Sequence, residues 1–229
     1  MPPTTHPYST MSVSRSSIDR YILPGEPLSQ AGYTLALSFG LVPDSLREEF
    51  ASHLAEDVRT TGHLTTGFLG TPLICSVLTE FGYEEEAWHL LSRTEYPSWL
   101  YSVSKGATTM WERWDAIQPD GEVGAYSLNH YAYGAVLEWM FRDVAGIGQA
   151  EGSTGFEDIV IRPQLTHSLK WVRASYDSPA GMIAVEWHRT EDAFHIAVDA
   201  PAPATIILPE PDRQGRKTIR IKAGHFENW

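Results

Sequence analysis

The sequence predicts an α+β protein in which a helical region is followed by a small antiparallel β-sandwich. Apolar residues recur at helical spacing up to about residue 150, and they alternate with polar residues after Gly155. A chain of 229 residues can hold one large domain or two modest ones. We therefore assign residues 28–150 to a helical domain and 151–229 to the sandwich. A Ser/Thr/Pro-rich leader at 1–27 is expected to be disordered.

Six helical segments are predicted in the first domain. The clearest has one apolar stripe that recurs every four residues from Leu46 to Val58. The last is the longest, with Leu128 facing inward and Gly146 as its stop. The predicted segments cover 29–42, 43–60, 72–82, 83–93, a short stretch after Pro97, and 127–145. Their strongly apolar faces favour packing of helix upon helix.

About six short strands are predicted in the second domain. Two alternating runs flank the turn sequence DSPAG, which indicates a β-hairpin. The runs carry Val172, Ala174 and Tyr176 before the turn, and Ile183, Val185 and Trp187 after it. The other predicted strands lie at Ile159–Ile161, Phe194–Val198, 204–209 and 218–222. Short strands with turns between them are typical of an antiparallel sheet or sandwich.

Composition narrows the classes of partner. The net charge of −12 argues against nucleic acid or an anionic membrane, because both repel an acidic surface. The single cysteine, Cys75, excludes an intrachain disulfide, and its apolar surroundings favour a buried, inert thiol. No segment approaches the roughly 18 apolar residues of a membrane span. The N-terminal stretch lacks the apolar core of a signal peptide, so a cytoplasmic location is expected.

The most informative stretch is Lys105–Asp115, with the sequence KGATTMWERWD, in which Glu112 lies between Trp111 and Trp114. A glycine and two threonines before it indicate a loop. Indole faces stack well on sugar rings, and a carboxylate beside them can activate water, so this composition fits a saccharide-cleaving site. The alternative is a core loop in which both Trp are buried and Glu112 pairs with Arg113 or a helix terminus.

Five stretches of the chain carry a family resemblance. They are HLTTGFLGTP (63–72), YPSWLYSVSKGATTMWERWD (96–115), SLNHYAYGAVLEWMFRDVAGI (127–147), FEDIVIRPQ (156–164) and WVRASYDSPAGMIAVEW (171–187). In order and approximate spacing they resemble the bacterial and fungal α-L-rhamnosidases, the inverting glycoside hydrolases of family 78. The resemblance covers about residues 28–210, and its most specific blocks are TTMWERWD and LNHYAYG.

The resemblance implies an (α/α)6 barrel of twelve helices followed by a C-terminal β-sandwich. Six helices and one sandwich correspond to about half of that barrel, at 28–150, with the sandwich at 151–229. The family's N-terminal β-domains, the first half of its barrel and the acidic loop that carries its general acid have no counterpart between residues 1 and 62. The chain therefore looks like a C-terminal fragment, a truncated product or one piece of a split protein.

The resemblance assigns roles to Glu112 and His130, and the residues beside Glu112 are candidates for the same site. Glu112 matches the family's general base, which in an inverting enzyme works with a second carboxyl about 6.5–9.5 Å away. His130 matches a contact to a sugar hydroxyl, and its alternative is a histidine bonded to backbone at the start of a helix. Trp111 and Trp114 stack on rhamnose or pack between helices. Arg113 is expected to form an ion pair that steadies a carboxylate of the site.

Other polar residues carry weaker signals. His63 and Thr65 lie in a loop that either reaches the same site or serves as scaffold. Asp115 and Asp120 are expected to cap turns or helices. No His-x3-His or His-Glu-x2-His spacing occurs, so no metal is predicted. No phosphate-binding glycine loop is present either, and the predicted reaction needs no cofactor.

The function expected from these residues is hydrolysis of terminal α-L-rhamnosyl bonds with inversion, once the missing half is supplied. A rhamnose-containing glycoside is the expected ligand. A chain carrying the missing half barrel, or a second copy of this chain, is the expected protein partner, because half a barrel exposes a wide apolar face. The first alternative is a carbohydrate-binding or interaction remnant that lacks the general acid. The second is a fragment without function.

Overall fold

The computed structural model describes residues 27–118, 120–166, 168–209 and 217–228. The chain divides into two compact units between Tyr133 and Gly134. The predicted disordered leader lies outside the described residues, apart from its final residue, Pro27. No helix in the described part of the chain is long and apolar enough to cross a membrane.

Five α-helices form in the described part of the first unit. They are α1 (Gln30–Ser38), α2 (Asp44–Thr61), α3 (Thr71–Glu80), α4 (Glu84–Ser92) and α5 (Trp99–Ser104). Each predicted segment up to the one after Pro97 corresponds to one of these helices. Ser29 caps α1 by accepting a hydrogen bond from the N–H of Gly32, and Gly62 ends α2 in a left-handed conformation with φ 68°.

The core of the first unit lies where the apolar faces of these helices meet. Leu54 and Ala55 of α2, Ile74 and Leu78 of α3, and Leu90 of α4 are all at most 1% exposed. The stripe predicted on α2 is confirmed, because Leu54 and Val58 are buried along it. Cys75 is buried, as predicted.

The prediction of a helix over 127–145 was wrong for its first residues. Helical structure begins only at Ala132 and consists of three pieces: a 3₁₀ turn (Ala132–Ala135), α6 (Val136–Trp139) and a π-helical turn (Met140–Val144). Leu128 was predicted to face inward, but it lies in a loop and is 37% exposed. The carbonyl of Ser127 and the N–H of His130 are hydrogen-bonded to residues 110–112, so they are not available for a helix.

The second unit contains the predicted sandwich, with eight strands among the described residues. They are β1 (Ile147–Gln149), β2 (Ile159–Ile161), β3 (Trp171–Ser178), β4 (Gly181–Arg189), β5 (Phe194–Ala200), β6 (Ala204–Leu208), β7 (Lys217–Ile221) and β8 (Gly224–Asn228). One sheet has the order β1-β2-β6-β7, and the other has the order β3-β4-β5-β8. All pairs are antiparallel except β2 with β6, which is parallel.

Alternation in the sequence matches the two faces of the sheets. Ile183, Val185 and Trp187 of β4 are at most 1% exposed, and the Nε1–H of Trp187 donates to the carbonyl of Val144 at 3.0 Å. The sequence analysis missed β1 and β8. β1 has only three residues, and β8 has one apolar residue, so neither shows a period of two.

Candidate active site

Two loop segments of the first unit run side by side and carry Glu112 and His130. The N–H of Glu112 donates to the carbonyl of Ser127 at 2.9 Å, and the N–H of His130 donates to the carbonyl of Met110 at 2.7 Å. The hydroxyl of Thr109 also joins the two segments, by donating to the carbonyl of Leu128. The main chain therefore brings the segments that carry Glu112 and His130 to about one strand spacing, ~5 Å.

The carboxylate of Glu112 is oriented by the same pairing. Its Oε2 accepts a hydrogen bond from the N–H of Ser127 at 2.9 Å. Within the described residues, Oε1 has no hydrogen-bond partner, and the side chain is half-buried. A carboxylate with one oxygen fixed and the other available has the geometry that a general base needs to take a proton from water.

The guanidinium of Arg113 is bound to Asp115 and Tyr126. It donates to both carboxylate oxygens of Asp115, at 2.9 and 3.2 Å, and to the hydroxyl of Tyr126 at 3.2 Å. It also lies 4.5 Å from the centre of the Tyr126 ring. The hydrogen bond to Asp115 raises the pKa of Arg113. The expected ion pair therefore forms with Asp115, for which a cap had been expected, and holds the loop beside Glu112.

The two tryptophans of the loop are buried. Trp111 is 3% exposed and belongs to an apolar cluster with Tyr101 and Ala116. Trp114 is 8% exposed, stacks on Tyr133 at 3.8 Å, and meets Trp99 edge to face at 5.3 Å. These contacts favour the packing alternative for both indoles. Contact of either indole with a sugar stays a prediction.

His130 has the backbone hydrogen bond of its alternative role, at the start of a helix, and its contact with a sugar hydroxyl stays a prediction. Its Nδ1 accepts a hydrogen bond from the N–H of Ala132 at 3.3 Å, at the start of the 3₁₀ turn. In the neutral ring the proton is therefore on Nε2. Nε2 has no hydrogen-bond partner in the described part of the chain. The ring thus supports the helix start through one nitrogen and presents an N–H donor through the other.

Two residues that the sequence analysis did not single out flank this histidine. The ring centre of Phe68 lies 5.9 Å from that of His130, and the ring of Tyr131 stacks on it at 5.1 Å. Phe68 is 49% exposed and Tyr131 is 86% exposed. The sequence did contain a signal for both residues. Phe68 follows Gly67 in a predicted loop, Tyr131 follows His130, and neither belongs to an apolar period that would predict burial.

The buried side chain of Gln30 is hydrogen-bonded to the main chain of the loop that carries Phe68. The side chain of Gln30 is 0% exposed; it accepts from the N–H of Thr65 at 2.9 Å and donates to the carbonyl of His63 at 3.0 Å. The ring of His63 contacts the carbonyl of Leu64 through Nδ1 at 3.0 Å. These contacts support the scaffold role for His63 and Thr65.

No group of three or more His, Cys, Asp or Glu side chains is arranged to hold a metal ion within the described ranges. The groups that the site presents are one oriented carboxylate, one imidazole N–H donor and two exposed aromatic rings.

Comparison with known protein families identifies both units. The model of the bacterial α-L-rhamnosidase six-hairpin glycosidase domain matches residues 26–144. The model of the bacterial α-L-rhamnosidase C-terminal domain matches residues 146–221. The expected resemblance and the expected order, a helical glycosidase region followed by a β-sandwich, are confirmed.

Individual proteins that the chain resembles carry the same family name. An α-L-rhamnosidase of Streptomyces avermitilis is 42% identical over 193 residues, which cover 81% of this chain and 18% of that protein. An α-L-rhamnosidase of Alteromonas sp. (strain LOR) is 40% identical over 177 residues, which cover 76% of this chain and 19% of that protein. The crystal structure of the Streptomyces avermitilis enzyme complexed with L-rhamnose superposes with a TM-score of 0.80 at 35% identity, over 92% of this chain and 23% of that one. The crystal structure of the Aspergillus terreus α-L-rhamnosidase also superposes with a TM-score of 0.80, at 30% identity, over 87% of this chain and 24% of that one.

The share of each relative that is matched is small. The chain spans about a fifth of the length of these curated relatives, 18% and 19%. Within that span the agreement extends over both units and includes the loops that hold Glu112 and His130. The chain belongs to the bacterial α-L-rhamnosidase family of six-hairpin glycosidases.

Proposed function

We propose that this chain supplies the general base of an inverting α-L-rhamnosidase. The observation that carries the proposal is the Glu112 carboxylate, fixed through Oε2 and available through Oε1, on a loop segment whose main chain is hydrogen-bonded to the segment of His130. Glu112 takes a proton from water as the water oxygen bonds to the anomeric carbon of a terminal α-L-rhamnosyl residue. The bond from that carbon to the leaving oxygen breaks in the same step, and the configuration inverts.

The leaving oxygen also needs a proton, and the loop of Glu112 does not offer one. Asp115 is the only other acidic residue of Lys105–Asp115, and both of its oxygens are bound by Arg113. We propose that the general acid comes from polypeptide that corresponds to the unmatched part of the longer relatives.

An activated substrate tests the base separately from the acid. A 2,4-dinitrophenolate leaves without protonation, whereas a 4-methoxyphenolate needs an acid. We expect the purified chain to hydrolyse 2,4-dinitrophenyl α-L-rhamnoside slowly, to release β-L-rhamnose first by NMR, and to leave the 4-methoxyphenyl compound intact. Glu112→Gln should abolish the slow reaction. Equal hydrolysis by wild type and Glu112→Gln would contradict the assignment of the base.

Sugar binding without turnover is the second candidate function. The Arg113–Asp115 ion pair favours this candidate, because it occupies both oxygens of Asp115 and leaves Glu112 as the only carboxylate of Lys105–Asp115 without an ion-pair partner among the described residues. Under this alternative, L-rhamnose raises the melting temperature of the chain, while neither rhamnoside is hydrolysed. A single series of measurements on wild type therefore separates the two candidates.

We further propose that additional polypeptide of the same family covers an apolar surface of the second unit. Leu137 and Phe141, one helical turn apart, are 55% and 37% exposed. They line a cleft of about 530 Å³ together with Phe156 and Tyr176, whose rings are 5.1 Å apart. An exposed apolar cleft of this kind marks an interaction surface. The much greater length of the relatives supports a polypeptide occupant.

Light scattering of the chain tests this surface. We expect the isolated chain to associate with itself, and Leu137→Glu together with Phe141→Glu to return it to the mass of one chain, because a charge on each side chain opposes burial. Phe39→Glu, at another exposed phenylalanine, is the matched control and should leave association unchanged. A wild-type chain that stays monomeric at high concentration would contradict the proposal.

A further inference from the structure

Strand β3 lies at one edge of its sheet, and among the described residues only β4 pairs with it. The N–H of Arg189 donates to the carbonyl of Lys170, and this bond sets the alternation of the ladder along the strand. Every second residue therefore directs its main-chain N–H and carbonyl away from β4. These residues are Trp171, Arg173, Ser175 and Asp177. An unpaired edge of eight residues is a template for another strand.

The residues with outward main-chain groups share one face of the sheet and carry charges of both signs. The side chain of Arg173 is 73% exposed and donates through Nε to Glu186 at 2.8 Å. Its two terminal nitrogens have no partner within the described ranges. Asp177 is exposed and has no hydrogen bond or ion pair in the same part of the chain. Charges on an edge usually oppose pairing, but these two have opposite signs and flank the small side chain of Ser175.

Two copies of β3 can pair antiparallel in several registers, and the charges distinguish these registers. When Ser175 lies opposite Ser175 of a second copy, Arg173 of each copy lies opposite Asp177 of the other, because both are equally far from Ser175. About six main-chain hydrogen bonds then form between the copies. Centring the pairing on Arg173 or on Asp177 places like charges opposite each other. The registers in between leave each charge without its complement.

The other face of β3 connects this edge with the apolar cleft of the second unit. Val172, Ala174 and Tyr176 lie on that face, opposite the buried residues of β4. Tyr176 lines the cleft, and its ring centre is 6.3 Å from that of Phe141. A strand added beyond β3 carries its own Ala174 and Tyr176 on the same side. Apolar side chains of the added strand therefore extend over the cleft.

We propose that two copies of this chain associate through β3, antiparallel about Ser175, so that their four-stranded sheets become one continuous sheet. This proposal rests on the covered cleft of the proposed function and names a second copy of the chain as its occupant. Arg173 of each copy binds Asp177 of the other, and Tyr176 of each packs on Ala174 of the other. One pair of strands buries little surface, so the dimer dissociates in dilute solution.

Sedimentation equilibrium of the full chain over a range of concentrations gives the dissociation constant of the dimer. Asp177→Lys places two positive charges opposite each other, and Arg173→Glu places two negative ones. Either variant alone should raise the dissociation constant at least about tenfold. An equal mixture of the two variants restores both opposite-charge pairs and should associate as wild type does. Since mixing repairs no defect within a chain, a mixture that associates no better than its components overturns the proposed register.

A second pair of variants tests the main-chain bonds separately from the charges. The N–H of Ser175 points away from β4, so Ser175→Pro removes a donor between the copies and spares the ladder within the sheet. We expect Ser175→Pro to weaken the dimer at least about tenfold, because proline also obstructs the approach of a strand. Ser175→Ala keeps the N–H and should associate as wild type does. Equal association of the two variants overturns pairing through this edge.

Controls separate edge pairing from a general effect of charge and from the covered cleft. Asp192→Lys changes an exposed charge in the turn between β4 and β5 and should leave the dissociation constant unchanged. Melting temperatures close to that of wild type verify that the variants are folded. If Leu137→Glu with Phe141→Glu abolishes association while the β3 variants have no effect, edge pairing is overturned and the covered cleft stands. A wild-type chain that stays monomeric at high concentration overturns both.

Discussion

Two pairs of aromatic side chains accompany Glu112 and His130, and they differ in what covers their faces. Trp111 and Trp114 adjoin Glu112 in sequence, yet they are only 3% and 8% exposed. Phe68 and Tyr131 are 49% and 86% exposed. Protein covers the rings of the first pair and leaves the rings of the second open to a ligand. Adjacency to a candidate base in the sequence therefore does not leave a ring face available for a sugar, because packing against distant segments decides which faces stay exposed.

The largest effect is expected from removing an indole of the buried pair. Trp114→Ala deletes the ring that stacks on Tyr133 at 3.8 Å and meets Trp99 at 5.3 Å. The free energy of unfolding should fall by about 3–5 kcal/mol, the usual range for a buried Trp. Urea titration of the full chain measures it. Trp114→Phe keeps a ring that can stack, so its free energy of unfolding should fall by less. A loss below about 1 kcal/mol for Trp114→Ala would contradict the structural role of the buried pair.

The next largest effect concerns the support beneath the exposed pair. Gln30→Leu removes the side chain that bonds the main chain of His63 and Thr65 and the carboxylate of Asp57. We expect a loss of about 1–3 kcal/mol, since buried polar groups lose their partners. The amide of Thr65 should exchange faster with solvent, because its acceptor is gone. Exchange as slow as in wild type would show that Gln30 does not hold the loop that presents Phe68.

A smaller, pH-dependent effect is expected at an exposed charge cluster of the sandwich. Hydrogen bonds from Arg173 and then His188 hold the pKa of Glu186 at about 2, below its usual 4.5. Because the folded pKa is lowered, this stabilisation is present above pH 4.5 and is lost as the pH falls from 4.5 towards 2. Glu186→Gln should therefore flatten the decline in urea midpoint over that interval. An unchanged acid slope would contradict this reading, and Asp177→Asn is the control.

The smallest effect on stability is expected from Tyr131. Tyr131→Ala should change the free energy of unfolding by no more than about 0.5 kcal/mol, because the ring is 86% exposed. The same urea titration measures it. This result would show that the ring of Tyr131 is not part of the core. A loss as large as that of Trp114→Ala would remove the distinction between the two pairs.

Local patterns predicted the elements whose burial repeats along the chain. The stripe from Leu46 to Val58 lies on α2, and the alternation of Ile183, Val185 and Trp187 lies in β4, because each needs only one side to face a core. The segment at 127–131 contradicted its helical pattern. Its main-chain groups bond to residues 110–112, a partner more than ten positions away that no local period reveals.

The family, the order of a helical region before a sandwich, and the candidacy of Glu112 and His130 could be predicted from the chain alone. These features reside in residue types, spacings and periods that are local to the chain. The burial of Trp111 and Trp114, the pairing of Arg113 with Asp115 and the approach of Phe68 to His130 became apparent only in the folded chain. Exposure of a ring and the partner of a charge depend on which distant segments pack together, and no local pattern carries that information.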